Sequence, residues 1–474
     1  MERVSYPFWF LNRIRDKETA STVIEPRRLK GFRDYLPAAA IPRERLIETA
    51  RRVYRSYGFS PIDTPALEYL EILTGKGSEE TDRQLYKFQD HGDRWVGLRF
   101  DLTVPLARFV AEHAGTLGTP FKRYHIGTVW RGENTQAGRY REFMQCDFDT
   151  IGTTSVAADI ETALVIHDLF VALGFSEFTI HVNNRMVLSG LLQKLDLADR
   201  ATAILRSLDK LGKLTLEQVS AEMQSAAGLH VEQAAQVLRL AELHGANDEV
   251  LRQLGPLVAG NETGEAGVAK LAEVISAARA VGVPEERLRL NVAIARGLDY
   301  YTGTIFETFI NALPQRGSVC SGGRYDDLAS TFTKERLPGI GASLGLDRLL
   351  SVMEELSLLP QAATPAEVFI PYFDAARLHD YLRLAAAVRG GTYRGADGQA
   401  IPLGAEIYPE PKKLGAQLKY ADRRGFRVAL IAGDREFAAG ECQVKDLRTG
   451  GSATVSIAAD WTALLGQVRA ALES

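Results

Sequence analysis

Between Phe121 and Gly152 the chain reads FKRYHIGTVWRGENTQAGRYREFMQCDFDTIG, and this stretch restricts the fold more than any other. Tyr124, Ile126, Val129 and Trp130 precede a polar loop, and Phe143, Cys146, Phe148 and Ile151 follow it. Two apolar, aromatic-containing runs joined in this way predict an antiparallel hairpin. Arg131, Glu133, Arg139 and Arg141 crowd its ends and loop. Planar guanidinium forks beside aromatic rings suit a polyanion, because each fork can make two charge-assisted bonds to phosphate. Phe143 lies two residues after Arg141, so both point to one strand face, where the ring can stack on a purine. A core phenylalanine explains the same spacing equally well.

At 474 residues the chain is long for one core, and two or three domains are expected. Residues 1–30 read as an irregular N-terminal arm. Beyond Pro42, RERLIETARRVYRSYG puts Leu46, Ile47, Ala50, Val53, Tyr54 and Tyr57 on one helical face, with Gly58 as a stop. FSPIDTPALEYLE reads as a short strand broken at Pro65, and LYKFQD and RWVGLRFDLTVPLARFVAE as strand, strand and helix. Residues 186–290 carry Leu, Ala, Glu and Gln at helical spacing and read as a helical insertion. It divides a sheet-based domain into parts at 31–185 and 291–355. A linker at 356–366 leads to a small unit at 367–474 in which strand and helix patterns alternate. The expected class is therefore multidomain, α+β followed by α/β: an antiparallel-sheet domain with a helical insertion, then a small α/β domain.

A net charge of −4 leaves no global basic field, so a nucleic acid would be held by local patches such as Lys412, Lys413, Lys419, Arg423, Arg424 and Arg427. Three scattered cysteines, without a CxxC pair or suitably spaced histidines, predict no zinc site and suit a reducing compartment. The first residues lack the apolar run of a secretory signal, and no uncharged run reaches the length of a membrane span. The expectation is a cytoplasmic protein with no membrane partner.

Arg131 sits where a strand enters the hairpin loop, and Arg348 where a Gly-rich strand becomes a helix. Two arginines at such ends can clamp a triphosphate and position its α-phosphate for in-line attack. Gly339, Gly341 and Gly345 would let a ring or phosphate approach the backbone. Neither a Walker loop nor a dinucleotide fingerprint is present, and no organic cofactor is expected. Glu133, Gln145 and Asp149, with Asp101 and Thr103, offer acceptors for an ammonium, an imidazole N–H, a hydroxyl or Mg²⁺. Arg296 can stabilise charge on a carboxylate or phosphoryl oxygen, and Tyr301 and Tyr325 can wall a small aromatic substrate. No serine, cysteine or histidine stands out as a nucleophile, and the alternatives for each acidic group stay open at this level. In EIYPEPKKLGAQLKYADRRG, Glu406 precedes a basic helix with Lys412 and Lys413, a pattern that can meet both bases and phosphates of an RNA.

These segments resemble those of the histidyl-tRNA synthetases, a family of class II aminoacyl-tRNA synthetases, from KGFRDYLP at Lys30 through the last domain. The helix after Pro42 with the strand reaching Pro65, the run Arg131–Asp149, and GIGASLGLDRL are similar to the three class-defining motifs. ARGLDYYTGTIFE and SGGRYDDL are similar to segments specific to the histidine enzymes. The resemblance implies ATP, with Mg²⁺, as substrate together with L-histidine and tRNA-His, and a homodimer formed around the first motif. It implies Arg131, Arg296 and Arg348 as catalytic residues and Arg131, Glu133, Arg139, Phe143 and Arg348 as the ATP site. Asp101, Thr103, Gln145, Asp149, Arg296, Tyr301 and Tyr325 would line the histidine pocket. Gln136, Glu406, Lys412 and Lys413 would meet tRNA, the last three from an anticodon-binding domain. Two features depart from many bacterial members: Asp101 stands where they have Glu, and the turn Asn134–Arg139 replaces RPQKGR. An alternative expectation is a catalytically inactive paralogue in a regulatory or RNA-binding role.

Overall fold

Helix α1 (Pro37–Ser56) begins ahead of the Arg43 start expected from the sequence. Pro37 stands in its first turn, where a missing N–H has no partner to lose, and Pro42 is absorbed one turn later. The computed structural model describes residues 24–74, 79–136, 138–211, 214–294, 301–359, 363–395 and 398–473.

The first domain is built on an eight-stranded sheet. Its strands are β1 (Ser60–Pro61), β5 (Phe121–Trp130), β6 (Glu142–Ile151), β7 (Phe178–Asn184), β8 (Leu288–Leu290), β9 (Thr304–Ile310), β10 (Cys320–Tyr325) and β11 (Gly339–Gly345). They lie in the order β1-β5-β6-β11-β10-β9-β7-β8, and only the two outer pairs, β1 with β5 and β7 with β8, run parallel. The hairpin expected at Phe121–Gly152 is β5 and β6, paired from Phe121 with Ile151 to Trp130 with Glu142. A smaller sheet, β2 (Leu67–Tyr69), β4 (Trp95–Leu98) and β3 (Lys87–Gln89), stands beside helix α2 (Thr103–Leu117).

Period-2 alternation divides the large sheet into two unlike faces. One face carries Tyr124, Cys146, Phe148, Ile340, Ala342, Leu344 and Phe306, all buried. It packs against α1 and α3 (Val156–Ala172), whose Ile166, Leu169 and Phe170 are fully buried. The Tyr54 ring on α1 lies 5.1 Å from that of Phe148, and its hydroxyl donates to the Cys146 carbonyl at 3.0 Å. The opposite face carries Arg123, His125 and Gly127 on β5, Gln145, Asp147 and Asp149 on β6, and Gly341, Ser343 and Gly345 on β11, all in mutual register. A polar row at the centre of a broad sheet is costly to bury unless its members are paired, so this face is where chemistry is to be sought.

The helical stretch expected between 186 and 290 begins with α4 (Arg185–Lys194) and ends with α5 (Glu262–Ala280), with four further α-helices among the described residues between them. It does not stand apart from the sheet. α4, α5 and α3 share one continuous core with it, and β8 returns the chain to its edge. α4 and α5 touch through glycines: a Cβ at Gly190 would fall 2.4 Å from the Gly264 Cα, and one at Gly267 2.8 Å from the Val187 amide. α6 (Leu346–Glu355) follows β11 directly.

The C-terminal unit has a five-stranded sheet, with β12 (Val368–Ile370) between β15 (Ala405–Ile407) and β16 (Val428–Ile431), then β17 (Glu441–Asp446) and β18 (Ser452–Ser456). A separate two-stranded ribbon pairs β13 (Thr392–Arg394) with β14 (Ala400–Pro402). Ile370 and Val368 face the core shared with α7 (Leu378–Arg389) and α9 (Thr462–Glu473). Phe369 between them points the other way, to Ala421 of α8 (Leu414–Arg424) and Phe426. β18 has no strong sequence signal, because Ala453 and Val455 face inward only at its margin.

Candidate active site

A cleft opens at the end of the hairpin, where β6 and β11 meet the start of α6. Arg131, Glu133, Arg139, Phe143, Gln145 and Arg348 line it, with Tyr140, Ser318, Ser321, Ser343, Gly345 and Asp347. It is a shallow, solvent-open cleft with a cavity volume of about 140 Å³. The two arginines singled out in the sequence thus reach one cavity from separate elements. Arg131 donates from Nε to the Phe100 carbonyl at 3.1 Å, and its guanidinium lies over the rings of Phe100 (4.3 Å) and Phe143 (5.1 Å). Arg348 donates to the Ser318 carbonyl at 2.6 Å. Glu133 and Arg139 face each other across the loop at 3.4 Å. Arg141, expected to share the face of Phe143, precedes β6 and turns instead to the carbonyls of Glu133 and Lys30.

The three glycines of the β11 segment have different surroundings. A Cβ at Gly341 would meet the Asp149 carboxylate at 2.3 Å, and one at Gly339 the Tyr325 ring at 2.3 Å. Those two positions make room for protein side chains. Only Gly345, with nothing closer than 3.6 Å, borders the cleft where a ligand can approach the backbone.

Below the cleft the polar face continues along β6. Gln145 donates to the Ser343 hydroxyl at 2.8 Å. Asp149 is buried and contacts Arg123, itself fully buried, at 2.6 Å between Oδ2 and Nη2. That approach is an ion contact off the hydrogen-bonding direction, since no Arg123 nitrogen has a well-aligned acceptor. The Tyr325 hydroxyl donates to the other Asp149 oxygen. Burial raises the Asp149 pKa against the opposing pull of Arg123, and burial raises that of Tyr325 further. Tyr301 lies close to Tyr325 and to the bare face of Gly323. Asp101 is buried where β4 passes to α2, and its Oδ1 accepts the amides of Thr103 and Val104 at 3.0 and 2.9 Å. That bond anchors the start of α2 and leaves Oδ2 as the oxygen available to a ligand. Arg296 lies outside the described residues.

Sequence reasoning missed several participants. Asp147 and His125 face each other across β6 and β5, and Arg123 is a register partner of Asp149. Burial pushes Asp147 up to about 7 and His125 down to about 4. The alternation in QCDFD was the available signal for Asp147, since it shares a face with Gln145 and Asp149. Asp347, buried at the first turn of α6, accepts the Met144 amide at 2.6 Å, the Arg43 Nε at 3.3 Å and the Tyr35 hydroxyl. Arg33 adds bonds to Tyr140 (3.1 Å) and Glu354 (2.8 Å). The segment from Gly31 to Tyr35 therefore ties the hairpin loop to α6. No local pattern announces contacts between residues so distant in sequence.

The remaining expected positions lie in two further places. Gln136 closes the hairpin turn through backbone bonds with Arg139. In the C-terminal unit Glu406 accepts the Tyr420 hydroxyl at 2.7 Å, Lys412 pairs with Glu410 at 2.8 Å, and Lys413 is exposed at the start of α8. Glu406 and Lys412 thereby flank Tyr420 and Tyr408, whose rings are 5.2 Å apart. Among the described residues no group of three or more His, Cys, Asp or Glu is placed to hold a metal, and no helix is long and apolar enough to cross a membrane.

The family profile described as Histidyl-tRNA synthetase matches residues 31–349, and that described as Anticodon binding domain matches 396–466. The chain is 60% identical over 434 residues to a histidine–tRNA ligase of Rhodopirellula baltica, covering 92% of this chain and 96% of that one. The crystal structure of histidyl-tRNA synthetase from Nostoc sp. PCC 7120 is similar at a TM-score of 0.84 and 34% identity, over 94% of this chain and all of that one. An ATP phosphoribosyltransferase regulatory subunit/histidyl-tRNA synthetase from Bacillus halodurans C has a TM-score of 0.69 at 23% identity, over 84% and 97% of the two chains, a likeness of fold alone.

Proposed function

This chain belongs to the histidyl-tRNA synthetase family, and from that premise we propose how its residues divide the work. It is a histidine–tRNA ligase, an ATP-dependent aminoacyl-tRNA ligase. The histidine carboxylate attacks the α-phosphate of ATP and pyrophosphate leaves. The terminal ribose hydroxyl of tRNA-His then attacks the adenylate carbonyl and AMP leaves. Neither step needs a protein nucleophile.

Arg131 and Arg348 take the phosphates, Phe143 stacks on adenine, and Glu133 and Arg139 hold the nucleotide's outer edge. The observation that carries this assignment is their convergence, from the hairpin and from the β11–α6 junction, on one cleft. Fixed cations around a transferring phosphoryl group stabilise charge as it develops, without reorganising at the moment of reaction. Mg²⁺ would arrive with ATP as part of the substrate and supply neutralisation of its phosphate charge. Of the two carboxylates on the cleft, Asp347 already has three donors, so Glu133 is the group suited to one of its waters. Gln145, Asp149, Tyr325, Tyr301, Asp101 and Thr103 receive histidine, and Arg296 joins them at its carboxylate. Gln136 meets the tRNA acceptor end, and Glu406, Lys412 and Lys413 the anticodon.

We further propose a homodimer, supported by the exposed apolar side chains Leu67, Tyr69, Phe88 and Trp95 on the small sheet, and a cytoplasmic location, supported by three buried, unpaired cysteines. ATP–pyrophosphate exchange with each of the twenty amino acids tests the central reading. Exchange with histidine alone is expected; none with histidine would reject it in favour of an inactive paralogue. Light scattering tests the dimer, and a monomer at micromolar concentration would reject it.

A further inference from the structure

We propose that Asp147 is an additional acceptor of the amino-acid site and takes the α-ammonium of bound histidine. The proposal rests on the ligase reading and deepens it. Asp147 is 2% exposed, at the centre of the polar face of β6, between Gln145 toward the cleft and Asp149 away from it. Ser343 lies close enough to Asp147 to favour its ionised form, yet Oδ1 has no hydrogen-bond partner. Gln145 is in the same position. Its amide N–H is committed to the Ser343 hydroxyl, and Oε1 is buried with no donor.

The chain from Gln145 through Ser343 to Asp147 therefore ends in two unmet acceptors, while Gln145 and Ser343 also border the cleft. A buried acceptor without a donor is expensive, and a buried carboxylate oxygen especially so. Two such acceptors two residues apart on one strand face call for a donor and repel a carboxylate or a phosphate. The ligand group of that chemistry bonded next to the reacting carboxylate is the α-ammonium. Alternate strand residues stand roughly 6.8 Å apart, so Asp149 with Tyr325 remains within reach of the imidazole of the same molecule.

The charged and titratable groups around Asp147 are Arg123 and His125 on β5, Asp149 on β6, and Asp101 and Arg99 where β4 meets α2. Burial holds Asp147 at about 7, so a large fraction is protonated in the empty enzyme near neutral pH. An arriving ammonium favours the carboxylate and drives that proton off. Histidine binding should then tighten as pH rises from 6 to 8, with release of a proton.

The test is Asp147→Asn, measured in ATP–pyrophosphate exchange and by calorimetry at pH 6.5 in two buffers of different ionisation enthalpy. The histidine KM is expected to rise about tenfold at pH 8, as befits loss of a charge-assisted bond, with the ATP KM within about twofold. Proton release on histidine binding should fall in the variant. Inhibition by 3-(imidazol-4-yl)propionate, which has no ammonium, should be equal in the two proteins. An unchanged histidine KM and proton count overturn the proposal, and a loss of inhibition by the propionate assigns Asp147 to the ring and overturns the ammonium contact. If Asp147→Asn does not fold, Ser343→Ala carries the same readouts, and no shift in either rejects the proposal. Exchange by the unaltered enzyme keeps this outcome separate from failure of the ligase reading.

Discussion

The bonds around Asp347 make a sharp prediction about coupling between the segment before α1 and the ATP cleft. Asp347→Ala strips the Met144 amide and the Tyr35 hydroxyl of their acceptor and leaves Arg43 without its nearest counter-charge. A buried donor left unmatched costs about 1–3 kcal/mol; two part-buried donors toward the low end of that range, with the Arg43 charge stranded beside them, set a loss of about 3–5 kcal/mol. Tyr35→Phe keeps the ring under the guanidinium groups of Arg33 and Arg43, 4.8 and 4.7 Å away, and removes only the hydroxyl. Because Tyr35 is half-exposed, that change should cost about 1.5 kcal/mol, the low end for a bond to a charged acceptor. Once Asp347 is gone the hydroxyl has nothing left to lose, so the double variant should be no less stable than Asp347→Ala, a coupling of about 1.5 kcal/mol. Urea denaturation of the four proteins measures this. The ATP KM measures the functional consequence, since Met144 and Arg348 sit on the two elements that Asp347 joins, and it should rise in each single variant while the histidine KM holds. Additivity within about 0.5 kcal/mol would show that the two groups do not share a bond and would refute the tie.

Phe143→Ala should raise the ATP KM roughly tenfold through loss of a stacking surface, with little change for histidine, as read in exchange assays. Gly190→Val should lower stability by about 3 kcal/mol by thermal or urea melting, because its side chain would drive α4 from α5 where they touch at Gly264. His125, held down at about 4, stays neutral in the folded protein while it titrates near 6.5 when unfolded. The stability it contributes is intact above pH 6.5 and is lost as pH falls toward 4, by up to about 3 kcal/mol, and His125→Gln should remove that component from a pH–stability profile. Lys413→Ala should weaken tRNA-His binding and reduce the slope against salt by about 1, leaving pyrophosphate exchange unchanged.

Much of the secondary structure was legible because periodicity is a local property. The α1 stripe of Leu46, Ile47, Ala50, Val53 and Tyr54 is buried as its spacing demands, and β5 and β6 pair along the whole predicted hairpin. The passage from Gly-rich strand to helix at Gly345–Leu346 was equally plain. The boundary at Pro42 was not, since a proline near a helix start is compatible with either side of it. Individual site residues were legible as types, arginine beside aromatic and acid beside amide, whereas their pairings were hidden. Nothing local shows that Asp149 would meet Arg123 and Tyr325, or that Asp347 would accept the Met144 amide and the Tyr35 hydroxyl.

By itself the sequence determined the kind of chemistry available. Its fixed cations, interleaved acids and aromatic rings, with no activated nucleophile, point to a site that positions two substrates and stabilises charge between them. The tertiary structure decided which of those groups meet and which are already occupied. Strand register turned an alternation in QCDFD into a buried polar row, the pairing of β11 between β6 and β10 gave two of three glycines to Asp149 and Tyr325, and the start of α6 brought Arg348 into the cleft that Arg131 lines. The physical reason is range. Side-chain type and period are set within a few residues, while burial, charge pairing and the pKa values that follow depend on neighbours far along the chain, as Arg123 is from Asp149 and Met144 from Asp347.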